Sequence, residues 1–320
     1  MPNNASAQSP RLGFAGTPEF AATALRHLLA AGMRPEIVLT QPDRPAGRGR
    51  KLRASPVKQT ALSEGLPVAQ PETLKDSSLV ESLGLDALDI LIVAAYGLLL
   101  PAHVLDAPRR GCLNIHASLL PRWRGAAPIV WAIAEGDDVS GVCLMQMERG
   151  LDTGPVFATR QTPVRGQDTA QTLHDRLAQL GGDLLVQHLP DILSGEQTPT
   201  PQDDALKTYA RKLHRDDGRI DWQQPAQVVD RRIRAFNPFP GSVATLADEP
   251  IKCWHSQLVE TVHGAPPGSV LDVCDAGITV ACGEGAVLLS EVQRPGKSRI
   301  DAAQLDSQLS VAEHVFGNGV

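Results

Sequence analysis

Long hydrophobic segments are absent from this sequence. The longest apolar stretch, Ile90 to Leu100, has 11 residues, whereas a membrane-spanning helix needs about 20. The first ten residues are polar and lack an apolar core, which argues against a secretory signal. We therefore expect residues 1–10 to form a flexible tail and expect no association with a membrane.

Cysteine is also scarce, and it lacks the spacing of a disulfide framework or a zinc site. The number of cysteines is odd and no pair is spaced as Cys-x-x-Cys, so neither feature is predicted. None of the nine histidines lies in a His-Glu-x-x-His motif, and we expect no metal. This cysteine usage favours a reducing, cytoplasmic location. The cysteines are Cys112, Cys143, Cys253, Cys274 and Cys282.

An overall positive charge is missing too, since the formal net charge is −6. Its local distribution matters more for a polyanionic partner than its sum. Residues 44–58 contain no acid, and residues 207–234 hold eight basic residues against four acids. Two basic regions on an acidic chain are compatible with nucleic-acid binding at defined places. The bases of the first region are Arg44, Arg48, Arg50, Lys51, Arg53 and Lys58.

A chain of 320 residues is long enough for two domains. Residues 11–15 and 36–41 have strand-like composition, and a helix beginning at Pro18 and ending before Gly32 separates them. A strand–helix–strand unit indicates a parallel sheet. The apolar run 89–95 is typical of a strand covered on both faces. We therefore predict an α/β, Rossmann-like and mostly parallel domain over residues 11–203.

Residues 204–320 follow a different pattern. After one predicted helix come five short runs of β-forming residues, each bounded by Gly, Pro or Asp. Such spacing predicts a small antiparallel barrel. The predicted strands are Gly241–Leu246, Ile251–Ser256, Gly268–Val273, Gly277–Cys282 and Ala286–Val292.

Three polar residues are the candidates for chemistry. Asn114 and His116 share one face of a predicted strand, because residues two apart on a strand point to the same side. Both lie near its carboxyl end, where open α/β sheets bind ligands. Asp152 follows the next predicted strand between two glycines, and we expect its loop to return to the same edge. An amide can stabilise an oxyanion, an imidazole can transfer a proton, and a carboxylate can orient that ring. A purely structural role, as a strand end and a turn, is the alternative for each residue taken alone.

No nucleophile is evident beside these residues. Ser118 lacks the Gly-x-Ser-x-Gly elbow, and Cys112 lies deeper in the strand, where packing is its expected role. The pattern thus favours direct acyl transfer between two bound substrates. The Gly13–Gly16 loop lacks the full Gly-x-Gly-x-x-Gly, so a dinucleotide-dependent dehydrogenase is weakly supported.

Longer motifs carry a resemblance to a known family. They are Cys112–Ile129 (CLNIHASLLPRWRGAAPI), Gly150–Gly154 (GLDTG), Phe14–Phe20 (FAGTPEF), Thr40–Gly49 (TQPDRPAGRG), Val93–Gly97 (VAAYG) and Ile233–Pro238 (IRAFNP). Together they resemble the folate-dependent formyltransferases, and in particular the branch that formylates methionyl-tRNA. The tail after Ala303 fits the family poorly, and we assign it no function.

The resemblance implies 10-formyltetrahydrofolate as the formyl donor and initiator methionyl-tRNA as the acceptor, with no metal. It places the folate beside Ser118, Leu119, Leu120 and Pro121, with a pterin pocket at Val93, Ala94, Ala95, Tyr96 and Gly97. It assigns tRNA contacts to Arg44 and also to Arg48, Arg50 and Lys51. Without the resemblance, these basic residues would be interpreted as part of a solvated loop. The C-terminal barrel is expected to be OB-like and the protein monomeric.

In the mechanism that we expect, the methionine amine attacks the formyl carbon through a tetrahedral intermediate. Asn114 stabilises the oxyanion, His116 moves the proton, and Asp152 supports the charged imidazole. Two other functions stay open from the sequence: a formyltransferase acting on a sugar nucleotide or other small amine, and an RNA-binding protein whose catalytic face is silent.

Overall fold

The computed structural model describes residues 10–46, 51–305 and 314–319, so the predicted tail, Pro10 apart, lies outside the described residues. The chain divides into two compact units. One takes in the described residues up to Gly125, with Gly141–Thr162 and His174–Tyr209; the other takes in Ala126–Ser140, Pro163–Leu173 and the described residues from Ala210 onward. The predicted boundary between residues 203 and 204 stays a prediction. Within the described residues, no helix is both long and apolar enough to cross a membrane.

A large mixed sheet organises the first part of the chain. The helices and strands up to residue 210 are β1 (Leu12–Gly16), α1 (Glu19–Ala30), β2 (Pro35–Leu39), β3 (Arg44–Ala46), β4 (Lys51–Arg53), α2 (Pro56–Ser63), β5 (Val68–Ala69), α3 (Ser78–Ser82), β6 (Ile90–Ala94), α4 (Ala102–Leu105), β7 (Cys112–His116), β8 (Arg124–Gly125), α5 (Pro128–Ala134), β9 (Val139–Gln146), β10 (Val156–Pro163), α6 (Ala170–Ser194) and β11 (Tyr209–Ala210). The strands of the large sheet follow the order β10-β9-β7-β6-β1-β2-β5. The pairs β1–β2, β1–β6, β2–β5 and β6–β7 are parallel. The mostly parallel α/β fold is confirmed.

The central strands owe their place to composition. Every residue of β1, β6 and β7 is buried, as expected for parallel strands covered on both faces. Gly16 ends β1 where a side chain would not fit, because a Cβ there would lie 2.5 Å from the Cβ of Ala21. The glycine therefore lets α1 pack directly over the end of β1.

The strand order reverses at β1, whose two neighbours are β2 and β6. From β1 the chain first builds β2 and β5 on one side and then crosses to β6 and β7 on the other. Ligands bind open α/β sheets outside the carboxyl ends of the strands at such a reversal. The loops after β1, β2, β6 and β7 are therefore the places to look for a site.

The second unit is built on an antiparallel sheet in the order β14-β15-β16-β13-β12-β18, with β17 paired to β16. Its elements are α7 (Ala226–Ala235), β12 (Ser242–Leu246), β13 (Glu249–Val259), β14 (Val270–Cys274), β15 (Gly277–Ala281), β16 (Ala286–Gln293), β17 (Arg299–Asp301) and β18 (Gly317–Asn318). A core containing Trp222, Ile233 and Phe316 fills the sheet's inner face. This curled sheet confirms the predicted small barrel, to which β17 and β18 are additions.

Candidate active site

His116 lies at the carboxyl end of β7, buried and held by a backbone group. Its Nε2 atom is 3.0 Å from the carbonyl oxygen of Trp123. A carbonyl oxygen only accepts hydrogen bonds, so Nε2 carries the proton and the neutral ring has its lone pair on Nδ1. Nδ1 lies 3.8 Å from Oδ2 of Asp152, beyond hydrogen-bond range. The ring thus presents a basic nitrogen beside a carboxylate.

Asp152 reaches His116 through the loop that follows β9. Strand β9 runs antiparallel to β7, with His116 opposite Cys143, so β9 ends at the edge of the sheet opposite His116. The loop after β9 then folds back, with Asp152 at φ +51°, and brings the carboxylate to the edge of His116, as expected from the two flanking glycines. Its Oδ2 accepts a hydrogen bond of 2.8 Å from the backbone N–H of Gly125, which holds the carboxylate in place.

Asn114 lies two residues before His116 on β7, and so on the same face of the strand. Its neighbours in the sheet are Val93 of β6 and Met145 of β9. The residue is only 8% exposed, and no described residue hydrogen bonds to its amide. This amide is therefore available to a ligand oxygen.

Neither of the two nucleophile candidates, Ser118 and Cys112, is in a state suited to attack. The Ser118 hydroxyl is buried and donates a hydrogen bond of 2.7 Å to the carbonyl oxygen of Arg122. Burial raises the pKa of the Cys112 thiol to about 12, so its thiolate is scarce at neutral pH. Both observations favour transfer without a covalent enzyme intermediate.

A cavity of about 720 Å³ opens at the reversal of strand order, a size typical of small-ligand sites. Residues after β1, β2 and β6 line it, including Thr17, Gln41 and Tyr96. Among the described residues, Nε2 of Gln41 and the hydroxyl of Tyr96 are buried without a hydrogen-bond partner. Burial raises the pKa of Tyr96 to about 12, which keeps this hydroxyl a neutral donor. These orphaned polar atoms fit a ligand that supplies their partners.

The structure gathers only part of the predicted folate site around this cavity. Ala95, Tyr96 and Gly97 line it, whereas Val93 and Ala94 are buried inside β6. Ser118 is buried, and Leu119, Leu120 and Pro121 are half-buried beyond β7. The folate contacts of all these residues stay predictions.

The predicted tRNA residues lie on a two-stranded ribbon, in which Arg44 of β3 pairs with Arg53 of β4. Arg44 is exposed, lines the cavity, and donates a hydrogen bond of 3.1 Å to Oε1 of Gln41. Arg48 and Arg50 lie outside the described residues. Lys51 belongs to β4 by its backbone, and its side chain lies outside the description. The ribbon therefore places at least one basic side chain, that of Arg44, at the cavity.

Sequence reasoning missed the residues that support the site. Arg124, fully buried, donates to Oε1 of Gln202 and pairs with Asp204 at 2.7 Å. Thr208 accepts a hydrogen bond from the backbone N–H of Trp123. A buried arginine in the run Trp123-Arg124-Gly125 had no visible partner in the sequence, because its partners lie about 80 residues further along the chain. Over the part of the chain that the structure describes, no cluster of metal ligands is present.

These features define a class. An amide, an imidazole and a carboxylate at the edge of an α/β sheet, in a fold that also has a ligand-sized cavity at its reversal of strand order, suit transfer of an acyl group. The sequence profile of the formyl transferase family matches residues 12–189, and that of its C-terminal domain matches residues 212–309. A crystal structure of an N-formyltransferase from Helicobacter canadensis, in complex with folinic acid and dTDP-3-aminofucose, shares the fold. Its TM-score is 0.68 at 17% identity, over 89% of this chain and 99% of that chain.

Sequence relatives narrow the class. The methionyl-tRNA formyltransferase of Stutzerimonas stutzeri (strain A1501) is 53% identical over 90% of this chain and 91% of its own. That of Aromatoleum aromaticum (strain DSM 19018 / LMG 30748 / EbN1) is 54% identical over 92% of both chains. The chain belongs to the methionyl-tRNA formyltransferase family.

Proposed function

We propose that this protein transfers the formyl group of 10-formyltetrahydrofolate to the α-amino group of methionine on initiator tRNA. It does so as a cytoplasmic monomer. The family membership and the folate donor of that family support the reaction. One observation carries the chemistry: the lone-pair nitrogen of His116 faces the Asp152 carboxylate at 3.8 Å, on the same strand face as the unpartnered amide of Asn114.

The tautomer assigns a role to each atom of the pair. Because Nε2 is bound to the Trp123 carbonyl, Nδ1 is the nitrogen that accepts the amine proton as the amine attacks. The resulting imidazolium has Asp152 beside its new N–H, and this favours the charged ring. Nδ1 then returns the proton to the departing nitrogen of the donor. Asn114 donates to the oxygen that becomes negative in the tetrahedral intermediate.

The donor's place is supported by the cavity. Folate supplies a formyl group on a nitrogen that leaves as an amine once protonated. The unpartnered Tyr96 hydroxyl and Gln41 amide suit a heterocycle with alternating donors and acceptors. The predicted contacts of Val93–Gly97 and Ser118–Pro121 with this donor are part of the proposal.

The acceptor is supported by sequence identity and by charge. Relatives at 53–54% identity have methionyl-tRNA in their names, whereas the sugar-binding structural neighbour is 17% identical. Arg44 at the mouth of the cavity can contact an RNA phosphate, with Arg48, Arg50 and Lys51 proposed beside it.

The test is an acceptor comparison. Purified protein is given folate with a radiolabelled formyl group, and then either charged initiator tRNA, uncharged tRNA or an amino-sugar nucleotide. We expect label on the charged initiator tRNA alone. Label on the sugar nucleotide alone would contradict the proposed acceptor, and tRNA binding without any transfer would contradict the enzymatic function.

A further inference from the structure

The segment 202–208 contacts both loops that hold the catalytic pair. The side-chain amide of Gln202 donates to the carbonyl oxygens of Asp152, at 2.9 Å, and of Gly154, at 2.7 Å. Its Oε1 accepts two hydrogen bonds from Arg124, at 3.0 and 2.9 Å. Both N–H donors and the acceptor oxygen of this glutamine are therefore in use. Gln202 joins the Asp152 loop to the loop that follows His116.

Thr208 hydrogen bonds to the loop that follows His116, at Trp123, the residue whose carbonyl binds the imidazole. Its Oγ1 accepts a hydrogen bond of 2.9 Å from the backbone N–H of Trp123, and its own carbonyl accepts one of 2.9 Å from the N–H of Arg124. The carbonyl of Trp123 is the group bound by Nε2 of His116. Trp123 has φ +62°, a conformation that costs a non-glycine residue energy and persists only where neighbours enforce it.

Arg124 gives this arrangement its rigidity. It is 1% exposed, and a buried guanidinium without partners would be strongly unfavourable. Its partners are Gln202 and the exposed Asp204, and the Arg124 contact holds the pKa of Asp204 below its usual range. The segment 202–208 is thus tied to the two loops by charge-assisted hydrogen bonds as well as by neutral ones.

We propose that Gln202 and Thr208 are positioning residues for the formyl transfer, which fix the proton of His116 on Nε2 and set the separation of its Nδ1 from the Asp152 carboxylate. Thr208 acts through the Trp123 carbonyl, and Gln202 acts through the backbone of Asp152. Neither side chain touches the substrates. This inference rests on the proposed function, because it assigns a purpose to the geometry of that catalytic pair.

The kinetic test uses matched variants at Thr208. Thr208→Val keeps the shape but removes the oxygen that holds Trp123, whereas Thr208→Ser keeps the oxygen. We expect Thr208→Val to lower kcat by up to about 100-fold, the typical cost of a displacement near 1 Å, with KM for tRNA and folate unchanged. Thr208→Ser should retain the wild-type kcat. A wild-type kcat in Thr208→Val, or a raised KM at constant kcat, would overturn the role of Thr208.

The second variant pair addresses Gln202. Gln202→Glu keeps an acceptor for Arg124 but cannot donate to the carbonyls of Asp152 and Gly154. Gln187→Glu is the control, since Gln187, on helix α6, also accepts a hydrogen bond from an arginine, Arg160 of β10. We expect a lowered kcat only in Gln202→Glu. Equal kcat values in the two variants would overturn the role of Gln202.

A spectroscopic readout separates positioning from loss of folding and from failure of the proposed function. Protein with ¹⁵N-labelled imidazoles is studied by long-range ¹⁵N–¹H correlation in mildly alkaline buffer, and the His116 signal is assigned from its loss in His116→Gln. Wild type and Thr208→Ser should show the Nε2–H tautomer, and Thr208→Val a mixture of tautomers with the other histidine signals in place. An unchanged Nε2–H signal in Thr208→Val would overturn the inference, whether or not the wild type formylates tRNA.

Discussion

Asn114→Ala tests the oxyanion role, and the structure predicts a large kinetic effect with a small structural one. The amide has no hydrogen-bond partner among the described residues, so its removal leaves no buried group unsatisfied. The strand is held by its backbone pairing to β6 and β9, which alanine preserves. We expect the free energy of unfolding to fall by no more than about 1 kcal/mol.

The expected kinetic loss is much larger. Removal of one oxyanion donor typically costs about 10²- to 10³-fold in rate, or about 2.7–4 kcal/mol of transition-state stabilisation. The loss should fall on kcat, because the oxygen becomes negative only after the amine has attacked. Asn114→Asp is the isosteric companion, and its carboxylate should be at least as poor because it cannot donate when ionised.

The assay measures single-turnover transfer of labelled formyl to charged tRNA, beside tRNA affinity and thermal unfolding. Turnover within about threefold of wild type, too little for the loss of an oxyanion donor, would refute the oxyanion role. So would a loss of tRNA affinity that matches the loss of rate, since Asn114 would then act in binding.

Three further outcomes follow from charge, reactivity and packing. Arg44→Ala should reduce the slope of log tRNA affinity against log salt concentration by about 0.7–0.9. The control is Arg109→Ala, which removes an exposed arginine beside the amino end of β7 and should leave the slope unchanged; equal slopes in the two variants would contradict a phosphate contact of Arg44. A thiol reagent should label Cys274 alone in the folded protein, because Cys274 is exposed and the other four cysteines are buried. Burial raises the pKa of each of these four thiols to about 12; rapid labelling of a second thiol would contradict this. Phe316→Ala should lower the free energy of unfolding, measured with denaturant, by about 3–5 kcal/mol. Phe316 is 1% exposed, and its ring centroid lies 5.8 Å from that of Trp222; a loss below about 1 kcal/mol would show that this contact is dispensable.

The fold was predictable where composition alone sets local structure. The apolar run of β6 predicts a strand covered on both faces, and every residue of β6 is buried. The five predicted β-runs near the C-terminus are all strands. By contrast, the direction of β9 depends on its pairing with β7, which its own residues do not encode. The tail shows the same limit: Phe316 joins the barrel core and β18 pairs with β12, contacts between residues about 70 positions apart.

The residue types of the site, and the edge of the sheet at which they meet, were predictable, but the detailed geometry was not. Asn114 and His116 share a strand face because alternation along a strand is local. The approach of Asp152 depends on a folded-back loop, and the tautomer of His116 depends on the Trp123 carbonyl. Gln202 lies 50 residues from its partner Asp152. Such long-range hydrogen bonds leave no periodic signal in a single sequence.

The most direct test of the catalytic pair is the single-turnover rate of Asp152→Asn with folate donor and charged initiator tRNA both bound. Asparagine keeps an oxygen for the Gly125 N–H but loses the negative charge beside Nδ1 of His116. We expect the rate to fall by about 10²- to 10⁴-fold, the usual contribution of acid–base catalysis, with tRNA affinity unchanged. A wild-type rate in this variant would show that the pair does not move the proton.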